Sequence, residues 1–290
     1  MEIKIALEED REAIFNIWLS CFTEDEAYIN FYLDYCFPHT ITLLLGDKNI
    51  GYVSVLSIIP SFFKEDNRYI KGGYLYGVGT LPSHRGKSYS SQLIKYGVEL
   101  LKNKKCEYFI VKPATDSLFS LYKKLGFDKE IYKSSTNIRS TEKQPFNKNA
   151  NSYSEISPLE INEIYDLREK HLANSNFLWP REILLYSLKE ILGRNGFLFI
   201  DKITRDYCTG YPSDNSSLIE ILETTIQPEQ IEMVFGEQIQ TKYPFNNTWR
   251  ATSSYEPKEN REPLLSALIM ELTPGIYDYC NKLNLSLPME

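Results

Sequence analysis

The sequence contains no C-x-x-C pair. Its five cysteines, Cys21, Cys36, Cys106, Cys208 and Cys280, are scattered over 290 residues. An odd, dispersed set argues against a disulfide framework and for reduced thiols in a cytoplasmic setting. Histidine is scarcer still. His39, His84 and His171 share no ligand spacing, so no metal is expected. No apolar run approaches the length of a membrane span. The first ten residues, Met1 to Asp10, have neither the basic start nor the apolar core of a signal peptide. Basic residues are the minority charge, 32 against 39 acidic, for a net charge of −7. The deficit lies in the second half, while residues 1–150 carry a slight basic excess that suits an anionic cofactor. An acidic half argues against nucleic acid, which needs a basic face. It either helps attract a cationic amine or simply solvates the surface.

What is present is a long alternation of strand-like and helix-like segments. The length fits one large or two medium domains, and an apolar fraction of 42% supplies a core. Residues 2–6 read as a strand. Residues 8–22 read as a helix with Ile14, Ile17, Trp18 and Cys21 at helical spacing. A second helix to Tyr35 opens at Thr23, with Glu26 completing a capping box. Residues 40–45 and 50–59 are β-rich and joined by a hairpin turn, and 71–81 is the next strand. A helix over 90–102, a strand over 107–112, a helix over 117–125 and one or two strands over 127–138 follow. Residues 141–154 carry no apolar period and read as a linker. Helices over 158–171, 180–192 and 228–240 and strands over 197–203, 218–225, 248–253 and 265–272 echo the first half.

Two stretches carry chemistry. The strand ending near Thr80 runs through Pro82 and the small-residue loop Arg85, Gly86, Lys87, Ser88, Tyr89, Ser90 into a helix. Unpaired N–H groups and a partial positive charge at a helix start make an anion site that fits a pyrophosphate. Some thirty residues on, Tyr122 lies near a helix end closed by Gly126. Each stretch has a plain structural reading, as a solvated turn and as an ordinary helix end with Tyr122 in the core.

The first stretch resembles the Pro-x-x-Arg-Gly-x-Gly pyrophosphate loop of the GNAT superfamily of acyl-CoA-dependent N-acyltransferases. Ser88 and Ser90 stand where the family has small residues, usually glycine. The second, Leu121 to Phe127, resembles the family's Phe-Tyr-x-Lys-x-Gly-Phe. The resemblance implies an α/β fold (an α+β mixed sheet) over residues 1–140 that binds acetyl-CoA. Residues 155–290 are expected to form a degenerate GNAT-like domain, with Ile226 to Glu229 where a CoA loop belongs. Lys112 to Asp116 resembles a run in the tandem-domain, enhanced-intracellular-survival type of acetyltransferases. Over 290 residues their sterol-carrier-like domain is not expected.

The resemblance also implies roles. The N–H of Val78 would hold the thioester oxyanion and Thr80 the pantetheine. Backbone amides from Arg85 through Ser90 would take the pyrophosphate, with the Arg85 and Lys87 charges nearby. Tyr122 would protonate the leaving thiolate, its phenol near pKa ~10. No acidic residue stands on the strand before the loop, so no single side chain is expected to be an essential base. Tyr74 and Tyr76 share one strand face and either line the acceptor cleft or pack in the core. Glu24, Asp25 and Glu26 either bind the amine or cap a helix. The expected activity is acetyl transfer from acetyl-CoA to a small-molecule or protein amine through a ternary complex. The alternatives are a non-catalytic acyl-CoA-binding module and a cell-wall-type aminoacyl transferase, which the acidic half disfavours.

Overall fold

The structure is a computed structural model that describes residues 1–65, 68–139, 153–155, 161–171, 176–201, 203–213, 218–226, 230–242, 248–253 and 264–274. The expected linker, apart from Tyr153 and Ser154, lies outside the described residues, as do Gln227 to Glu229 of the second loop and Cys280. The chain divides into two compact units. The first takes residues 1–131, 177–186 and 265–281. The second takes 132–176, 187–264 and 282–290.

In the first unit, β1 (Glu2–Ile5) is followed by α1 (Arg11–Cys21) and α2 (Glu26–Tyr35). The expected Thr23 cap is displaced by two residues. Asp25 has the extended backbone of an N-cap, and its carboxylate accepts the Tyr28 N–H at 2.8 Å. A carboxylate beside the positive helix end does this better than a hydroxyl. Then come β2 (Ile41–Asp47), β3 (Gly51–Glu65) and β4 (Arg68–Thr80), each antiparallel to the last. Helix α3 (Tyr89–Asn103) crosses over to β5 (Tyr108–Val111), which is parallel to β4, and α4 (Asp116–Lys124) follows. One core gathers Leu43, Leu45, Leu56, Ile58 and Leu75 of the sheet with Leu93, Ile94 and Leu101 of α3 and Tyr122 of α4.

Strand β6 (Lys129–Arg139) leaves this unit. From Ser134 to Arg139 it pairs antiparallel with β12 (Thr248–Ser253) of the second unit. Sequence periodicity identified both strands but carried no information about which edge each would fill. The second unit starts at β7 (Tyr153–Glu155) and continues through α5 (Ile161–His171). The short β8 (Asn176–Leu178) and helix α6 (Arg181–Gly193) come next, and β8 and the first half of α6 belong largely to the first unit. The second unit then adds β9 (Phe197–Asp201), β10 (Tyr207–Pro212), β11 (Leu218–Thr224) and α7 (Ile231–Lys242), around a core of Phe197, Ile219, Ile221, Ile231, Phe235 and Ile239.

Strand β10 was not expected. Gly210 and Pro212 mark it as a loop by composition. The glycine is required because a Cβ there would meet the Glu220 carbonyl oxygen at 2.2 Å. The last strand, β13 (Leu264–Glu271), returns to the first unit and pairs antiparallel with β5, Leu268 facing Val111. All four residues of β5 are buried, so their second edge needs a partner. Among the described residues, no helix is long and apolar enough to cross a membrane.

Candidate active site

Strand β4 pairs with β5 only from Gly72 to Leu75. Beyond Leu75 it runs on to Thr80 with no β5 partner among the described residues. A bulge sits in this free stretch. Ser57 of β3 faces Tyr76 and Val55 faces Gly79, so β4 carries one residue more than β3 between them. Gly77 takes φ +56 in the bulge, and a Cβ there would lie 2.5 Å from the Trp18 ring. Positive φ and close approach together demand glycine. Val78, next in sequence, is half-buried against the α3 and α4 core. The Thr80 hydroxyl is 2.8 Å from the Ser54 hydroxyl, which also bonds the Gly79 carbonyl at 2.8 Å.

A 3₁₀ turn at Pro82–His84 leads into the loop. The Arg85 N–H bonds the Pro82 carbonyl at 3.3 Å, and its side-chain Nε donates to the Thr80 carbonyl at 3.2 Å. The amides left without an acceptor among the described residues run from Gly86 to Ser90, one fewer than the motif suggested. Gly86 has φ +78, and a Cβ there would touch nothing within 4 Å. Ser88 is the N-cap of α3 in the left-handed region, φ 59 and ψ 25, and its side chain makes no cap. Ser88 thus holds a backbone geometry that favours glycine. Left-handed backbone costs a residue with a Cβ roughly 1–2 kcal/mol. We expect Ser88→Gly to stabilise the chain by about 1 kcal/mol in urea unfolding without weakening any loop ligand. A destabilised variant would show that the Ser88 side chain contributes a contact of its own.

Tyr122 sits in the last turn of α4, 6% exposed and edge-on to Phe127, with ring centres 5.7 Å apart. Gly126, at φ +99, closes the helix as its position suggested. No hydrogen bond to the Tyr122 hydroxyl is found among the described residues. Burial pushes its pKa up to about 12, above the ~10 of a free phenol. Tyr122 and Val78 border the same core.

On the other side of β4 the chain assembles aromatic rings. Tyr74 and Tyr76 are both buried there. The Trp18 indole stacks on Tyr32 (4.1 Å, 19°) and lies 5.8 Å from Tyr76. The Tyr28 hydroxyl is 3.0 Å from those of Tyr76 and Tyr186. Trp179 sets its edge against Tyr74 at 5.4 Å. The acidic run takes no part in this cluster: Asp25 caps α2, Glu26 is exposed in its first turn, and Glu24 is half-buried in the preceding turn. Trp18 appeared in the sequence only as a helical apolar position, and Tyr28, Tyr32, Trp179 and Tyr186 were not singled out as site residues. Twenty-one tyrosines spread along the chain give no local signal of which ones meet. Among the described residues, no group of three or more His, Cys, Asp or Glu side chains is placed to hold a metal.

Residues 11–127 match the family model described as Acetyltransferase (GNAT) family. No curated protein matches the sequence. The structure is similar to that of a GCN5-related N-acetyltransferase from Anabaena variabilis ATCC 29413. They share 13% identity over 94% of this chain and 73% of that one, with a TM-score of 0.71. It is similar to Eis1 from Mycobacterium abscessus at 10% identity, over 94% and 74% of the chains, with a TM-score of 0.64. It is also similar to a tandem GNAT protein from the clavulanic acid biosynthesis pathway. There the identity is 11% over 94% and 99% of the chains, with a TM-score of 0.51. The mixed sheet, the matched segment and these likenesses agree: the chain has the fold of the GNAT acetyltransferases.

Proposed function

We propose that the protein is an N-acetyltransferase that moves an acetyl group from acetyl-CoA to a primary amine within a ternary complex. The observation that carries this reading is the alignment on one strand and loop of two sets of backbone donors. One is the stretch of β4 past Leu75, with its bulge at Gly77. The other is the open run of amides from Gly86 to Ser90 at the head of α3. In this reading the Val78 N–H holds the thioester oxygen as it gains charge, and Thr80 meets the pantetheine. The loop amides and the Arg85 and Lys87 charges hold the pyrophosphate. The neutral amine attacks the carbonyl carbon, a C–N bond forms and the C–S bond breaks. The thiolate takes the Tyr122 proton, the new ammonium gives its proton to water, and the Tyr122 phenolate regains a proton from water. This order needs no single side-chain base, because a desolvated aromatic wall itself favours the neutral amine.

The second unit fits a degenerate copy of the first. Its strands pair as β7, β9, β10 and β11 antiparallel, β11 to β12 parallel and β12 to β6 antiparallel. The first unit pairs β1 to β4 antiparallel, β4 to β5 parallel and β5 to β13 antiparallel. A bulge on β11 falls just after its last β12 partner, Ile221. Glu223 follows it, and its carboxylate is bound by Arg168 and Tyr207. A side chain locked there supports one acyl-CoA site per chain.

Calorimetry with acetyl-CoA tests the reading. We expect one site on the intact chain, binding weakened about tenfold or more by Arg85→Ala, and unchanged by Tyr122→Phe. No binding by the intact chain would overturn it. Binding without transfer to any amine would favour the non-catalytic acyl-CoA module, a reading that the depth of Tyr122 supports.

A further inference from the structure

We infer that the amine acetylated here is carried on a flat aromatic ring bearing a hydrogen-bond acceptor, which the indole N–H of Trp18 meets. The inference rests on the acetyltransferase reading and names the substrate class of that same site. Trp18 is 2% exposed, and among the described residues its Nε1 has no hydrogen-bond partner. A buried N–H without an acceptor costs about 1–3 kcal/mol, which an acceptor on a ligand would recover. The indole is also in the right place. A Cβ on Gly77 would lie 2.5 Å from Cζ2 and 3.2 Å from Cε2, and Cε2 is bonded to Nε1. The six-membered half of the indole thus lies against the bulge one residue before Val78, with Nε1 one bond from the contact.

The ring is fixed there by Tyr32, whose hydroxyl is 2.7 Å from that of Ser57. Phe22, half-buried, sets its ring 5.1 Å from the indole. A second buried indole N–H without a partner, on Trp179, lies beside Tyr74. Among the described residues, the one charged side chain buried in this unit is Asp10, and Lys4 binds it at 2.8 Å. A polycation would find no buried carboxylate to replace its water. An aromatic ring would find ring faces and edges.

The test uses the full chain with acetyl-CoA and a panel of tyramine, phenethylamine, hexylamine, spermidine and an aminoglycoside. We expect kcat/KM for tyramine to exceed that for hexylamine and spermidine by about tenfold or more, because a buried donor discriminates against ligands that leave it unpaired. Trp18→Phe should narrow the gap between tyramine and phenethylamine. Because that variant opens a space in the core, the indole resonances of the ¹⁵N-labelled native protein give an independent readout. The Trp18 signal should move with tyramine and not with hexylamine. If spermidine or the aminoglycoside is the best acceptor and the Trp18 signal stays fixed, the substrate class is wrong and the acetyltransferase reading stands. If acetyl-CoA binds and no amine is acetylated, the acetyltransferase reading fails and takes this inference with it.

Discussion

Glu223→Ala is expected to destabilise the second unit by about 3–5 kcal/mol, a large part of the stability of an ordinary domain. Arg168 is 2% exposed and donates to Glu223 through Nε and Nη2, both at 2.8 Å. The Tyr207 hydroxyl donates to the same carboxylate. Burial alone would drive the guanidinium toward its neutral form, and Glu223 more than offsets this. Burial also raises the Tyr207 phenol, and the adjacent Glu223 charge raises it further, so it stays a donor. Removing the carboxylate leaves a buried cation without its counter-ion. Replacing both charges, as Arg168→Met with Glu223→Leu, should cost far less, since both desolvation penalties disappear together. Urea unfolding followed by tryptophan fluorescence reads both variants. A loss below ~1 kcal/mol for Glu223→Ala would show that water reaches the pair.

Tyr122→Phe is expected to lower kcat by roughly 10²- to 10⁴-fold, the usual worth of a positioned general acid, with acetyl-CoA affinity unchanged. The ring packing survives this change, so a lost rate cannot be assigned to a lost core. The pH profile separates the roles further. The acid must be protonated, and burial holds its pKa at about 12. Tyr122 should therefore impose no alkaline fall in kcat below about pH 11. The sign of the stability effect follows from the same shift. The unfolded phenol loses its proton near pH ~10, before the folded one, so the unfolded state binds fewer protons there and stability falls as pH rises. A Tyr122→Phe enzyme with native kcat would leave Tyr122 a core residue and pass the thiolate's proton to water.

The local elements were largely legible in the sequence. Helix α3 was expected over 90–102 and runs from Tyr89 to Asn103, and α4 ends at Gly126 as its left-handed glycine requires. The loop that opens α3 was legible as well, because it depends on short spacings. Strand β10 was not, since Gly210 and Pro212 sit at a bulge and a strand end that composition reads as turn. The cap of α2 was misplaced because Thr23 and Asp25 are both good caps and only backbone geometry chooses between them.

Pattern and spacing along the chain determined by themselves the order of strands and helices from β1 to β6, the loop that opens α3 and the tyrosine one helix later. Those features rest on contacts within a few residues of each other. Tertiary structure alone decided the rest. It sent β6 to β12 and β13 to β5, because an unpaired buried strand edge accepts any strand of the right length and direction. It pressed Trp18 against Gly77 and joined Tyr28 to Tyr76 and Tyr186, pairs separated by 48 and 158 residues. It also set the Tyr122 ring into the core. Each of these is an encounter between distant segments, and the physical reason is the same: periodicity says which face of an element is apolar, and only packing says what that face meets.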